Sequence, residues 1–145
     1  MAISATPSVV TMPVAERPYP TILEFLTRRF PQIGNSCWQQ RISSGKVLDA
    51  ERTPITVDTE YLPHKRLHYF REVEQEQLIP FTEKILFQND DLLVACKPHF
   101  LPVIPGGGYV NECLLNRLRK RTENNELVPL HRIDRETAGI VMFSV

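Results

Sequence analysis

Nowhere in its 145 residues does this sequence hold an apolar run near the roughly 18 residues that span a bilayer, which excludes a membrane-spanning helix. The first 20 residues lack a basic segment followed by a continuous apolar core, so they do not read as a secretory signal, and a cytoplasmic location is expected. Cysteine is scarce. Cys37, Cys96 and Cys113 are odd in number, far apart and form no C-x-x-C pair, which argues against a disulfide framework or a zinc knuckle. Their spacing with His64, His68, His99 and His131 matches no common metal signature, so no metal is expected. An excess of either charge is also missing: 17 Lys and Arg stand against 17 Asp and Glu. No global field therefore draws nucleic acid, and any such binding needs a local basic patch.

What the chain does hold is proline, 12 in all, several of them near the start. "MAISATPSVVTMPVAERPYP" shows no sustained period, so residues 1–19 read as an extended or disordered lead-in. "TILEFLTRRF" then opens a helix, with Thr21 as cap and Glu24 three residues on completing a capping box; Pro31 ends it. "NSCWQQRISSG" repeats the pattern, with Asn35 or Ser36 as cap and Gly45 placed to stop the helix in a left-handed conformation. Short β-prone pieces follow at residues 46–48, 55–57 and 67–73, which makes a compact module over residues 20–75. The polar "EQEQ" at residues 74–77 marks the junction with a second domain, residues 76–145.

That second part opens with a hairpin, "EKILFQNDDLLVACK", turning at residues 88–91. A loop rich in proline and glycine follows, "KPHFLPVIPGGG", of a length often reserved for function. "NECLLNRLRKR" is a helix with Asn111 as cap and Leu114, Leu115 and Leu118 as its apolar stripe. Arg117, Arg119, Lys120 and Arg121 crowd its end, where cations favour the helix dipole and also make an anion-attracting patch.

The chain closes on "VPLHRIDRETAGIVMFSV". Residues 140–145 have a buried-strand pattern, so Asp134 lies on a loop just upstream of a core strand, flanked by Arg132 and Arg135. Guanidiniums at its side would favour the carboxylate form that a nucleophile or general base requires. On charge pattern alone, two readings stand: a solvated loop that pairs internally, and a catalytic loop.

"HRIDRETAG" resembles the H-R-L-D-x-x-T-S-G signature of the RluA-type pseudouridine synthases, with Ile133 in place of leucine and Ala138 in place of serine. "ILFQNDDLLVACKPHFLPVIPGG" is similar to the hairpin, Lys-Pro and glycine-rich loop that precede that signature. Residues 20–73 are similar, more faintly, to an S4-like RNA-binding module. The resemblance implies an α+β chain: a small S4-like α/β module, then the first half of a mixed-sheet pseudouridine synthase catalytic domain. It implies isomerisation of uridine to pseudouridine in ribosomal or transfer RNA (rRNA or tRNA) without cofactor or metal. Asp134 matches the essential aspartate, and Arg132 the arginine that can occupy the stack vacated by a flipped uridine. His131 is carried over as a motif position, and Arg135 and the basic helix as RNA contacts.

Members of the family continue past this strand to an active-site tyrosine and to a basic residue that pairs with the aspartate. The resemblance thus implies that residues 1–145 are an N-terminal portion without turnover of its own, and a noncatalytic RNA-binding module is the alternative. An aspartyl phosphotransferase would want Asp-x-Asp after a buried strand, whereas here a single aspartate precedes one. A strand cut from its sheet neighbours would also expose residues 140–145 as an apolar edge, so self-association through it, or partial unfolding of residues 128–145, is expected.

Overall fold

The computed structural model describes residues 1–145, in two compact units: Thr6–Arg71, and Met1–Ala5 together with Glu72–Val145. In chain order the elements are β1 (Ala2–Ile3), β2 (Ser8–Thr11), α1 (Ile22–Arg29), α2 (Asn35–Ser43), β3 (Val47–Leu48), β4 (Arg66–Tyr69), β5 (Glu72–Val73), β6 (Lys84–Gln88), β7 (Leu92–Lys97), α3 (Leu114–Thr122), β8 (Val128–Pro129) and β9 (Gly139–Ser144). Every strand pairing is antiparallel, which suits the α+β class. No helix is long and apolar enough to cross a membrane.

In the unit Thr6–Arg71, α1 starts as its sequence dictates: the Thr21 hydroxyl accepts from the Glu24 amide at 3.2 Å. α2 differs from expectation. Gly34, at φ +78°, stands at its cap position without a side-chain bond, and Asn35 is already helical, its amide reaching back to Thr27 Oγ1 at 3.2 Å. Gly45 does follow the helix at φ +71°, a conformation costly for any residue with a Cβ. Phe25, Leu26 and Trp38 fill the core over the sheet β2–β4–β3. Residues 55–57 form no strand, only a bridge between Leu48 and Pro54, with Ile55 filling core.

Of the two readings of the lead-in, extended or disordered, residues 2–3 and 8–11 take the extended one. β1 pairs with β5, β2 pairs with β4 over four residues, and Met12 is buried. The prolines do not prevent this because Pro7 and Pro13 flank β2 and Met12 rather than interrupt them.

His68, on the central strand β4, is buried with Nδ1 lacking a hydrogen-bond partner. Burial first, then the charges of Arg52 and Arg66, lower its pKa from the ordinary 6.5, against the opposing pull of Asp49. A folded-state pKa below the unfolded one means that the unfolded chain binds more protons in the interval between them. Stability is therefore full above about pH 6.5 and falls as acid is added below it. Trp38, in the same core, supplies the probe. The urea midpoint followed by its fluorescence is expected to drop from pH 7 to pH 5.5, and His68→Leu to flatten that slope.

In the unit Met1–Ala5 with Glu72–Val145, the sheet runs β6–β7–β9–β8. Its inner face carries Leu93, Ala95, Val141 and Phe143, which pack with Leu114 and Leu118 of α3 and with Leu101, Val103 and Leu127. The junction expected at residues 74–77 lies a few residues earlier, at Arg71 and Glu72, and Glu76 is built into this unit. One Glu76 carboxylate oxygen accepts the amides of Val110, Asn111 and Glu112 at 2.6, 2.7 and 2.7 Å. Asn111 is not the cap of α3, a position held by Cys113; its side chain instead ties down the N-terminal segment, donating to Ile3 O at 2.8 Å and accepting from Ala5 N at 3.2 Å.

The edge expected to be open at residues 140–145 is closed by the chain itself over much of its length. β9 pairs with β7 over six residues on one side, and on the other with β8 at Val128 and Pro129. Past β8, the Leu130 amide still donates to Met142 O at 2.9 Å. The chain supplies both neighbours itself, from the hairpin before β9 and the segment just upstream of it. The pairing on the β8 side covers residues 142–144 of β9, and on the outer face Ile140 is 57% and Met142 39% exposed.

Candidate functional site

Two loops make a cleft of about 590 Å³, with residues 102–104 on one wall and residues 132–135 on the other. The first wall is fixed by α3, whose leading amides cap loop carbonyls: Leu114 N donates to Pro102 O at 2.8 Å and Leu115 N to Val103 O at 3.0 Å. The second wall is a turn closed by Thr137 N to Asp134 O at 3.1 Å, with Ile133 packed against the core. Gly139 then starts β9 at φ +155°, and a Cβ there would stand 3.5 Å from Ile133 Cδ1.

Lys97 joins the walls. Its Nζ donates to Pro98 O at 3.0 Å, Leu101 O at 2.6 Å and Arg135 O at 3.0 Å. The side chain is fully buried, and no carboxylate touches it. Burial lowers its pKa, and the nearby charge of Glu136 opposes that shift. His99 adds a second tie, with Nδ1 2.8 Å from Glu136 O. Sequence reasoning passed over both residues, yet a signal for Lys97 was present. In "LLVACK" the alternation that buries Leu93 and Ala95 places Lys97 on the same face.

Asp134 is exposed at the cleft, and no side chain bonds or pairs with its carboxylate. Of the two flanking guanidiniums expected to favour its charged form, that of Arg135 is engaged elsewhere. Arg135 grips Glu136 through Nε at 2.9 Å and a terminal nitrogen at 2.6 Å, and lies over the Tyr109 ring at 5.8 Å. That contact raises the Arg135 pKa and lowers that of Glu136. Arg132 is exposed on the same wall. His131 is turned toward the sheet, its Nε2 accepting the Met142 amide at 3.1 Å, so it holds the loop to β9 instead of facing the cleft.

Three of the four helix cations are likewise spoken for within the chain. Arg117 donates to Ile79 O and Phe81 O, each at 2.7 Å, and pairs with Glu83 at 3.1 Å and with Glu112. Arg121 pairs with Glu83 at 2.7 Å, and Arg119 donates to Leu127 O at 2.9 Å. Lys120 is exposed. Glu83 is buried beneath the two guanidiniums, both of which reach water in part. Breaking a buried pair costs about 3–5 kcal/mol, and the partial exposure of the arginines reduces this to roughly 2–3 kcal/mol. Glu83→Gln is expected to lower the stability of Glu72–Val145 by that amount in chemical denaturation, without moving the Trp38 transition.

A free carboxylate, held on a braced turn at the mouth of a cleft of ligand size, is available as a nucleophile or general base. No cluster of His, Cys, Asp and Glu is arranged to hold a metal ion. The model of the RNA pseudouridylate synthase family matches residues 91–145, which contain both walls of the cleft. An uncharacterized RNA pseudouridine synthase of Synechocystis is 32% identical over 123 residues, 83% of this chain and 41% of its own length. RNA pseudouridine synthase 5 of Arabidopsis thaliana is 30% identical over 84% of this chain and 36% of its own. Ribosomal large subunit pseudouridine synthase D of Xanthomonas campestris is 30% identical over 81% and 37%. The chain thus spans about two fifths of the length of these relatives. The cleft is thus built from the segment that is similar to the RNA pseudouridylate synthase family, and the similarity to its named relatives runs on through most of the remainder.

Proposed function

We propose that this protein serves the isomerisation of uridine to pseudouridine in ribosomal or transfer RNA, with Asp134 as the catalytic residue. The observation that carries the reading is the unpaired Asp134 carboxylate at the mouth of a cleft whose walls lie in the family-matched segment. In the reaction the glycosidic bond to N1 breaks, the uracil turns while bound, and C5 joins the ribose as its proton leaves. Product and substrate are isomers, so no redox partner or cofactor is called for. The uridine must leave its helix to meet Asp134, at a cost of roughly a few kcal/mol. Arg132, exposed beside Asp134, has the planar cation suited to fill the vacated stack. Lys120 is the member of the basic helix free to meet phosphate. Thr6–Arg71, with two short helices on a small antiparallel sheet, acts in this reading as an S4-like RNA-binding module.

Residues 1–145 alone are proposed to bind RNA without turning it over. Asp134 finds no basic partner among its neighbours, and the cleft has two walls only. The test is tritium release from RNA labelled at uridine C5. Residues 1–145 are expected to release none, whereas the Synechocystis relative with its matched segment replaced by residues 91–145 of this chain is expected to turn over. A folded but inactive chimera would count against the synthase reading, and release by residues 1–145 against the proposed division of labour.

A further inference from the structure

Phe100 combines three properties seldom found together. Its backbone sits at φ +66°, a conformation bulky side chains rarely adopt. The residue is 47% exposed, although an apolar group under no other demand would turn inward. And its chain neighbours are anchored: Lys97 and His99 both bond the loop that carries Asp134, at Arg135 O and Glu136 O. Strain of this kind is kept where the surroundings impose it, and it gathers at functional sites. The ring does not stand alone. Phe81, 49% exposed, lies 6.2 Å from it at an interplanar angle of 37°, and the His99 ring lies 6.0 Å away at 45°. Around Phe81 two guanidiniums come near the surface, both paired with carboxylates. Arg117 bonds its carbonyl, and Arg121, partly exposed, covers Glu83 two residues on.

We propose that Phe100 and Phe81, with His99 beside Phe100, form a stacking platform for an unpaired base of the RNA, one flanking the uridine delivered to Asp134. The proposal rests on the synthase reading and adds to it the place where a neighbouring base is held. Extruding a uridine leaves the adjacent bases with an exposed face, and an aromatic ring braced to the same loop replaces the lost stacking partner. Stacking of this kind tolerates any base, because every base has a π-face. Rings braced to the loop that carries Asp134 are placed for a base of the strand that brings the uridine, more than for an apolar protein surface.

Phe100→Gly separates the platform from the fold, since glycine removes the ring and also relieves the left-handed backbone. Affinity of the full chain for a hairpin RNA with a uridine-containing loop is read by fluorescence anisotropy, alongside thermal denaturation. Phe100→Gly is expected to leave the melting temperature unchanged or raised while weakening RNA binding about 10-fold or more, the loss of one stacked base. Phe81→Ala is expected to weaken binding in the same direction, and Phe81→Trp to retain it. The dependence of affinity on salt should not change, because no phosphate contact is lost. Making the loop nucleotides abasic should bring the unsubstituted chain down to the level of Phe100→Gly. Unchanged affinity in Phe100→Gly and Phe81→Ala overturns the platform and leaves the synthase reading standing. So does a shift in self-association, seen by light scattering, with RNA binding intact, because the rings would then be a protein contact. No RNA binding by the unsubstituted chain would overturn the platform together with the RNA-binding role proposed for residues 1–145.

Discussion

Replacing Asp134 by asparagine, in the chimera that carries residues 91–145, is expected to remove pseudouridine formation while leaving fold and RNA affinity in place. The side chain is exposed and makes no hydrogen bond or ion pair, so nothing structural depends on its charge. Asparagine keeps the volume and replaces the carboxylate by a neutral amide that is neither an effective base nor an effective nucleophile. Loss of a general base lowers turnover by about 10²–10⁴-fold, and loss of a nucleophile by more. Initial rates of tritium release should therefore fall at least about 100-fold, into the range set for a general base, with urea midpoint and RNA dissociation constant unchanged. Equal rates would remove Asp134 from the chemistry. A loss of affinity matching the loss of rate would instead make it a binding residue.

Lys97→Met is expected to have the largest effect on stability. Methionine matches the length of the lysine stem but leaves the Pro98, Leu101 and Arg135 carbonyls without their shared donor. Hydrogen bonds to a charged group contribute about 1.5–3 kcal/mol each, and release from the burial of a charge offsets part of the sum. A net loss of roughly 3 kcal/mol follows from those magnitudes. The two units allow an internal control. Amide exchange at Val141 and Phe143 should accelerate, since both lie in the core beside Lys97's strand, while the Trp38 transition, which reports Thr6–Arg71, holds its midpoint. Exchange that stays slow in β9 would show that the walls of the cleft hold without their staple.

The neighbours of β9 illustrate what could not be read ahead. From "GIVMFSV" a buried strand was plain, but not which segments pair with it. β7 lies more than forty residues upstream, and β8 is just two residues long, ending at a proline, too short to announce itself. The basic helix makes the same point. A run of cations at a helix end is legible as charge, yet it was the packing of residues 79–83 against α3 that placed Glu83, Ile79 O and Phe81 O within reach of Arg117 and Arg121.

The sequence by itself determined what short-range periodicity encodes. The apolar stripes of α1 and α3, the Thr21 cap, the stop at Gly45 and the hairpin of β6 and β7 all depend on residues within a few positions of each other. The alternation that sends Lys97 inward was written there too, as was the position of Asp134 on a loop before a core strand. Only the tertiary structure decided which partner each polar group takes. Lys97 finds Arg135 O 38 positions away, Arg117 finds Glu83 34 away, and Arg135 chooses the adjacent Glu136 over Asp134. Local pattern fixes the face a side chain presents. A hydrogen bond or ion pair depends on ångström-scale distances between segments remote in the chain, and those distances exist only once the core has closed.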